Sequence, residues 1–172
     1  MTSIIIINYN TLQLTLNCIE SISMHTMSNY EVILVDNASS EPGLEEVQVR
    51  FPDVKIVRSV TNVGFSKGNN IGIAASNGEY ILLLNSDTLL KNDVVTILKN
   101  FLDKQPDVAV VAARLEYPSG EVQHNCQRFP SIRYKIFELL RLQKIIPKKA
   151  RGKILFGPFF DYNESAFPDW VW

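Results

Sequence analysis

Apolar residues fall along this chain in short unbroken runs, and several stop abruptly at Asn, Asp or Ser. Ser3–Ile7 is β-branched in its last four positions and halts at Asn8-Tyr9-Asn10. Tyr30–Val35 ends in Asp36-Asn37-Ala38-Ser39-Ser40. Tyr80–Leu84 follows the helix-ending pair Asn77-Gly78 and runs straight into Asn85-Ser86-Asp87. Unbroken runs of this length suit strands buried on both faces of a parallel sheet. Val54–Val60 reads differently: Val54, Ile56 and Arg58 alternate, which places this strand nearer the sheet edge.

Between these runs the apolar spacing becomes helical. Leu12, Leu16, Ile19 and Ile22 predict a helix over Leu12–Ser23, with Thr11 as its cap. Pro42-Gly43 opens a short acidic helix that ends near Phe51, before Pro52. The loop Thr61–Phe65 leads into a helix over Ser66–Ser76, and Lys91–Leu102 predicts a fourth. Strands alternating with helices define an α/β fold, a mostly parallel sheet with helices on both faces. Right-handed connections bring several strand ends to one crevice. Ligands in such sheets bind beyond the carboxyl ends of the strands, where this chain concentrates its Asn and Asp.

The second half is less regular. Val108–Ala113 predicts a further buried strand, and Pro118-Ser119-Gly120 a turn within a hairpin over Arg114–Glu121. From Arg128 the composition shifts. Arg133, Lys135, Arg141, Lys144, Lys148, Lys149, Arg151 and Lys153 stand against one acid, Glu138. Ile132, Ile136, Leu139 and Leu140 mark a helical face ended by Pro147. Two readings stay open for that helix: it packs on the core with a solvated basic side, or it lies on an anionic membrane. The tail, Phe156–Trp172, is rich in aromatics.

Composition narrows the function. At 172 residues, 46% hydrophobic and 20% charged, the chain suits one globular domain. A net charge of −1 gives no reason to expect nucleic acid. Cys18 and Cys126 have no C-x-x-C spacing and read as free buried thiols. No basic n-region precedes Ser3–Ile7, and no stretch has the apolar length of a membrane span, so a cytoplasmic location is expected, with contact to the cytoplasmic membrane face as an extension. Neither G-x-G-x-x-G after the first strand nor G-x-x-x-x-G-K-[ST] occurs, which removes the usual support for dinucleotide and P-loop readings. Asn85-Ser86-Asp87 offers one carboxylate and one amide oxygen to a hard cation such as Mg²⁺. The alternative is that Asp87 caps the helix over Lys91–Leu102.

Four pieces together resemble the nucleotide-sugar-binding half of the inverting family-2 glycosyltransferases with the GT-A fold. They are Ile4–Asn10, Val32–Ser40 with its Val35-Asp36-Asn37-Ala38 core, Asn62-Val63-Gly64-Phe65 continuing to Asn69-Asn70-Ile71-Gly72, and Leu84-Asn85-Ser86-Asp87 in place of a D-x-D element. Arg128-Phe129-Pro130-Ser131 after Gly120-Glu121 is similar to the rhamnosyltransferase-like branch. The resemblance implies that Asn8, Tyr9 and Asn10 line the nucleotide pocket and that Asp36 hydrogen-bonds a pyrimidine ring. It implies that Asn62, Gly64, Lys67 and Asn69 border ribose and diphosphate, with Asn85 beside them and Asp87 on a divalent cation, Mg²⁺ or Mn²⁺. It further implies sugar transfer with inversion from a pyrimidine diphosphate carrier, with dTDP-rhamnose one such donor, to a carbohydrate or lipid-linked acceptor. On this reading, 1–115 is the donor-binding core and 116–172 the start of an acceptor-side region. The family's general base would lie beyond Trp172, leaving the fold C-terminally incomplete. Aromatic surface around Phe159, Phe160, Phe167, Trp170 and Trp172 would then favour self-association. The rivals are a sugar-1-phosphate nucleotidylyltransferase, which lacks its Gly-rich loop after Ile7, and a non-catalytic binding fragment.

Overall fold

The computed structural model describes residues 1–127, 129, 131–140, 142, 145–147, 155–164, 166, 168 and 170–171. They cluster into two compact units, Met1–Ala109 and Val110–Trp172. Expectations placed on Arg128, Pro130, Arg141, Lys144, Lys148, Lys149, Arg151, Lys153, Phe167, Asp169 and Trp172 lie outside the described residues.

The first unit holds four strands, β1 (Thr2–Asn8), β2 (Tyr30–Asp36), β3 (Lys55–Arg58) and β4 (Tyr80–Asn85). They form one parallel sheet in the order β3-β2-β1-β4. Four helices complete it: α1 (Leu12–His25), α2 (Leu44–Arg50), α3 (Phe65–Ala74) and α4 (Val94–Lys104). The two-residue period of a strand sends alternate side chains to opposite faces. Ile4, Ile6, Val32 and Leu34 meet Leu12, Leu16, Ile19 and Ile22 of α1, Val47 of α2 and Val95 of α4. Ile5, Ile33 and Val35 face the other way, onto Ile71 and Ala75 at the end of α3. Gly72 makes that second contact close. A Cβ at this position would lie 2.4 Å from Ile5 Cγ2, so only glycine lets α3 approach the sheet this nearly.

Several expectations are corrected. The run Tyr80–Leu84 is not buried on both faces. Leu82 and Leu84 join the core, but Ile81 and Leu83 remain 39% and 48% exposed. The cause is position: among the described residues β4 pairs with β1 alone, and α3 packs over β1 and β2. The fourth helix begins at Val94, and its cap is Asp93, whose carboxylate accepts from Thr96 N at 3.2 Å. Asp87 therefore does not cap it. Thr11 precedes α1 without a side-chain cap bond, and Glu41 Oε2, 29 residues along the chain, accepts from Leu12 N at 2.9 Å. Val108–Ala113 forms no strand; no ladder partner for it exists among the described residues, and Val110 is exposed.

In the second unit the expected hairpin forms. β5 (Leu115–Glu116) pairs antiparallel with β6 (Val122–Gln123), and the turn is closed by Tyr117 N donating to Glu121 O at 2.8 Å. β7 (Cys126–Gln127) pairs with β8 (Trp170–Val171). Helix α5 spans Ile132–Leu139. Phe156 is buried and Phe160 half-buried, each ring packed on the next, with Phe160 5.0 Å from Tyr162. Cys18 is buried and Cys126 half-buried, and both are free thiols. No helix among the described residues is long and apolar enough to cross a membrane.

Candidate functional site

The carboxyl ends of β1, β2 and β4 and the loop into α3 surround an open crevice of about 430 Å³. Its position follows from the topology, since the strands that flank β1 are entered by separate crossovers and their following loops diverge.

Asn8, the last residue of β1, is the hub beneath this crevice and is 1% exposed. Its Nδ2 donates to Asp36 Oδ1 at 3.0 Å and to Ser39 Oγ at 2.9 Å. Its Oδ1 accepts from Thr15 Oγ1 at 3.0 Å and Thr11 Oγ1 at 3.1 Å. The parallel register sets Asn8 level with Asp36. Asp36 is 7% exposed, and no hydrogen bond from a described residue reaches its Oδ2. Asn10 adopts a left-handed backbone, φ 55°, and its Oδ1 accepts from Ser40 N and Glu41 N at 2.9 and 3.2 Å. This ties the loop after β1 to the loop after β2.

A second set of bonds shapes the loop before α3. Asn37 Nδ2 donates to Asn62 Oδ1 at 2.9 Å, while Asn37 Oδ1 accepts from Val63 N at 2.9 Å. Asn62 Oδ1 also accepts from Gly64 N at 2.9 Å. Gly64 sits at φ +81° with nothing within 4 Å of where a Cβ would be, so its backbone angle rather than crowding requires glycine.

The loop after β4 is held from α1. Thr11 Oγ1 and Ser86 Oγ lie 3.2 Å apart, Cys18 Sγ donates to Asn85 O at 3.7 Å, and Leu90 N donates to Ser21 Oγ at 3.0 Å. The Cys18 thiol is pushed up to about 12, first by burial and then by the negative charge of Asp87. It stays protonated and inert at neutral pH.

Of the residues singled out in the sequence, Tyr9, Asn62, Gly64, Asn85 and Asp87 line the crevice together. Asn8, Asn10 and Asp36 are not among its lining residues; Asn8 bonds Asp36, and Asn10 ties together the loops that follow β1 and β2. Lys67 and Asn69 do not line it either. Asn69 is buried, with Nδ2 donating to Phe65 O at 3.1 Å, and Lys67 is exposed on α3. His25 ends α1, at the far edge of the sheet from the strand carboxyl ends, and His124 packs on Tyr162 in the second unit. Sequence reasoning missed Thr11, Asn37, Phe65 and Ser86 as lining residues. Tyr9 and Phe65 are the exposed aromatics among them.

Among the described residues no three His, Cys, Asp or Glu side chains gather to hold a metal, and Asp87 is the one carboxylate lining the crevice. That donor set fits a cation that takes one or two carboxylates and completes its shell with water and substrate phosphates, as Mg²⁺ does.

Fold and site thus define a parallel α/β protein with a polar ligand crevice at the ends of its central strands. Residues 3–162 match the family described as Glycosyl transferase family 2, and the chain belongs to that family. It is 28% identical over 171 residues to "Glycosyltransferase GlyG" of Streptococcus pneumoniae serotype 4, covering 97% of this chain and 54% of that protein. It is 32% identical over 108 residues to an uncharacterized glycosyltransferase of Haemophilus influenzae, covering 63% of this chain and 36% of that one. The chain thus spans about half or less of the length of these curated relatives. Its fold is similar to that of S. aureus TarS 1-349 in complex with UDP, with a TM-score of 0.56 and 23% identity over 61% of this chain and 32% of that one.

Proposed function

We propose that the first unit binds the donor of a glycosyltransferase that moves a sugar from a pyrimidine diphosphate carrier to an acceptor hydroxyl. The observation that carries this reading is the pair of carboxylates at the ends of the two strands flanking β1. Asp36 is buried with one oxygen engaged by Asn8, and Asp87 is open to the crevice. Asp36 Oδ2 is left to accept from the imide N–H of uracil or thymine, a bond a carboxylate makes well. Asp87, with Asn85 beside it, would hold Mg²⁺ or Mn²⁺ against the diphosphate. A cation held there supplies positive charge to the departing group. Gly64 and the first amides of α3 lie where a helix N-terminus favours phosphate, and exposed Tyr9 and Phe65 offer apolar faces to a ring. Lys67 would act only as a nearby positive charge, and Asn69 as a support for the turn at Phe65. Family membership, the resemblance to proteins named glycosyltransferases and the fold likeness to a UDP-bound protein all support the reading.

The transfer itself would be an in-line displacement with inversion, assisted by a base within reach of the acceptor hydroxyl. None of the residues lining the crevice is assigned that role. The donor sugar is proposed as rhamnose on dTDP, from the rhamnosyltransferase-like motifs, and the acceptor as a carbohydrate or lipid-linked glycan.

A thermal-shift panel with Mn²⁺ tests the base assignment. UDP and dTDP at a hundred times their dissociation constants should each stabilise the chain by about 2.7 kcal/mol. CDP should give far less, because cytosine presents a ring acceptor to the carboxylate and leaves a buried group unpaired. Equal stabilisation by CDP would remove Asp36 from base recognition.

A further inference from the structure

Helix α5 keeps its apolar side in water. Ile132, Ile136 and Leu139 are 81%, 51% and 81% exposed, and they share one face with Lys135. Leu140 and Ile145, just beyond the helix, are exposed as well. Their spacing of four and then three residues is the stripe by which a helix ordinarily meets a core. Ile132, Ile136 and Leu139 thus do not pack as core residues.

Charge distinguishes the candidate partners. Residues 132–153 hold eight basic residues against Glu138, a net +7 in a chain whose total is −1, so the rest carries −8. A symmetric dimer built on this face would bring two such +7 segments together, and like charge opposes that pairing. An apolar helical stripe in a segment whose sequence carries eight Lys and Arg fits the boundary of an anionic bilayer, where aliphatic side chains enter the acyl region and cations meet headgroup phosphates.

We propose that α5 and the basic stretch that follows it seat the protein on an anionic lipid surface. This goes beyond the donor-site reading and does not depend on it, since the contact involves residues 132–153 and requires no nucleotide. A membrane seat there would hold the protein where a lipid-linked acceptor resides.

The test is cosedimentation of the full 172-residue chain with phosphatidylcholine vesicles, with and without phosphatidylglycerol, in nucleotide-free buffer. The chain should pellet with the phosphatidylglycerol vesicles at low ionic strength and release at high, where charge is screened. The double variant Ile136→Asp/Leu139→Asp and the charge reversal Lys148→Glu/Lys149→Glu should each lower partitioning roughly tenfold or more. Because Ile136 and Leu139 are exposed, the first variant should keep its circular dichroism and unfolding midpoint. No pelleting at low ionic strength, equal pelleting with pure phosphatidylcholine, or wild-type partitioning by both variants would overturn the proposal. So would a dimer abolished by Leu139→Asp in a chain that ignores vesicles, which would make the occupant a second copy.

Discussion

Asp87→Asn is expected to remove the Mn²⁺-dependent gain in UDP affinity, a loss of roughly tenfold or more, equivalent to about 1.4 kcal/mol or more. The substitution keeps the side chain's shape and deletes its charge. Stability should hardly change, because the cap of α4 is Asp93 and the Asp87 carboxylate carries no such duty. Asn85 and Ser86 keep their places through Cys18 and Thr11. Metal-free UDP binding, which rests on the base and on backbone amides, should survive. Calorimetric titration of UDP with and without Mn²⁺ gives both numbers in one pair of experiments. A Mn²⁺ gain undiminished in Asp87→Asn would mean that the cation, if bound, is held elsewhere.

Asn8→Leu is expected to damage fold and site together. The buried amide serves four side-chain partners, on β2, on α1 and on the two adjoining loops. Leucine leaves Asp36 Oδ1 without its donor, while Thr15 Oγ1 keeps Thr11 O and Ser39 Oγ keeps Asn10 N as partners. A buried polar group left unpaired costs about 1–3 kcal/mol, so a loss of about 2 kcal/mol is expected in urea unfolding. That is a large share of the roughly 5–15 kcal/mol by which a domain is stable. Asn8→Asp separates charge from packing. It retains the acceptor for Thr11 and Thr15 but sets a carboxylate against Asp36, and two buried carboxylates so close raise the pKa of one of them. A group whose folded pKa is raised stabilises the fold below its unfolded pKa and loses that contribution as pH climbs. Asn8→Asp should therefore be closest to wild type near about pH 4 and fall behind toward about pH 7. A pH-independent deficit would show that geometry rather than charge dominates at this hub.

Much of the scaffold was legible because its signals are local. Four β-branched residues ending at Asn8, and an unbroken run ending at Asp36, needed no distant partner to be read as parallel strands. Period two also separates Asn8, turned inward, from Tyr9, turned out, although the resemblance placed both in the pocket. What escaped the sequence was set by neighbours. Tyr80–Leu84 has the composition of a central strand, yet Ile81 and Leu83 are exposed, because α3 packs over β1 and β2. The cap of α1 comes from Glu41 and that of α4 from Asp93, so neither Thr11 nor Asp87 is needed there. Asn37 shapes the loop at Asn62–Gly64 across a gap of about two dozen residues, a contact no local pattern announces. Asn69 matched the family motif, yet its amide turns back on Phe65 O.

A pyrimidine diphosphate and its cation are proposed to sit between the ends of β2 and β4. Paramagnetic broadening by Mn²⁺ in the ¹⁵N spectrum of the UDP-bound chain reads that position directly, because Mn²⁺ relaxes only nearby nuclei. Amides of Asn85, Ser86 and Asp87 should fade first, followed by those of Asn62–Phe65 across the crevice, and the pattern should disappear in Asp87→Asn. Broadening centred on other residues, or an identical pattern without UDP and in Asp87→Asn, would contradict that placement.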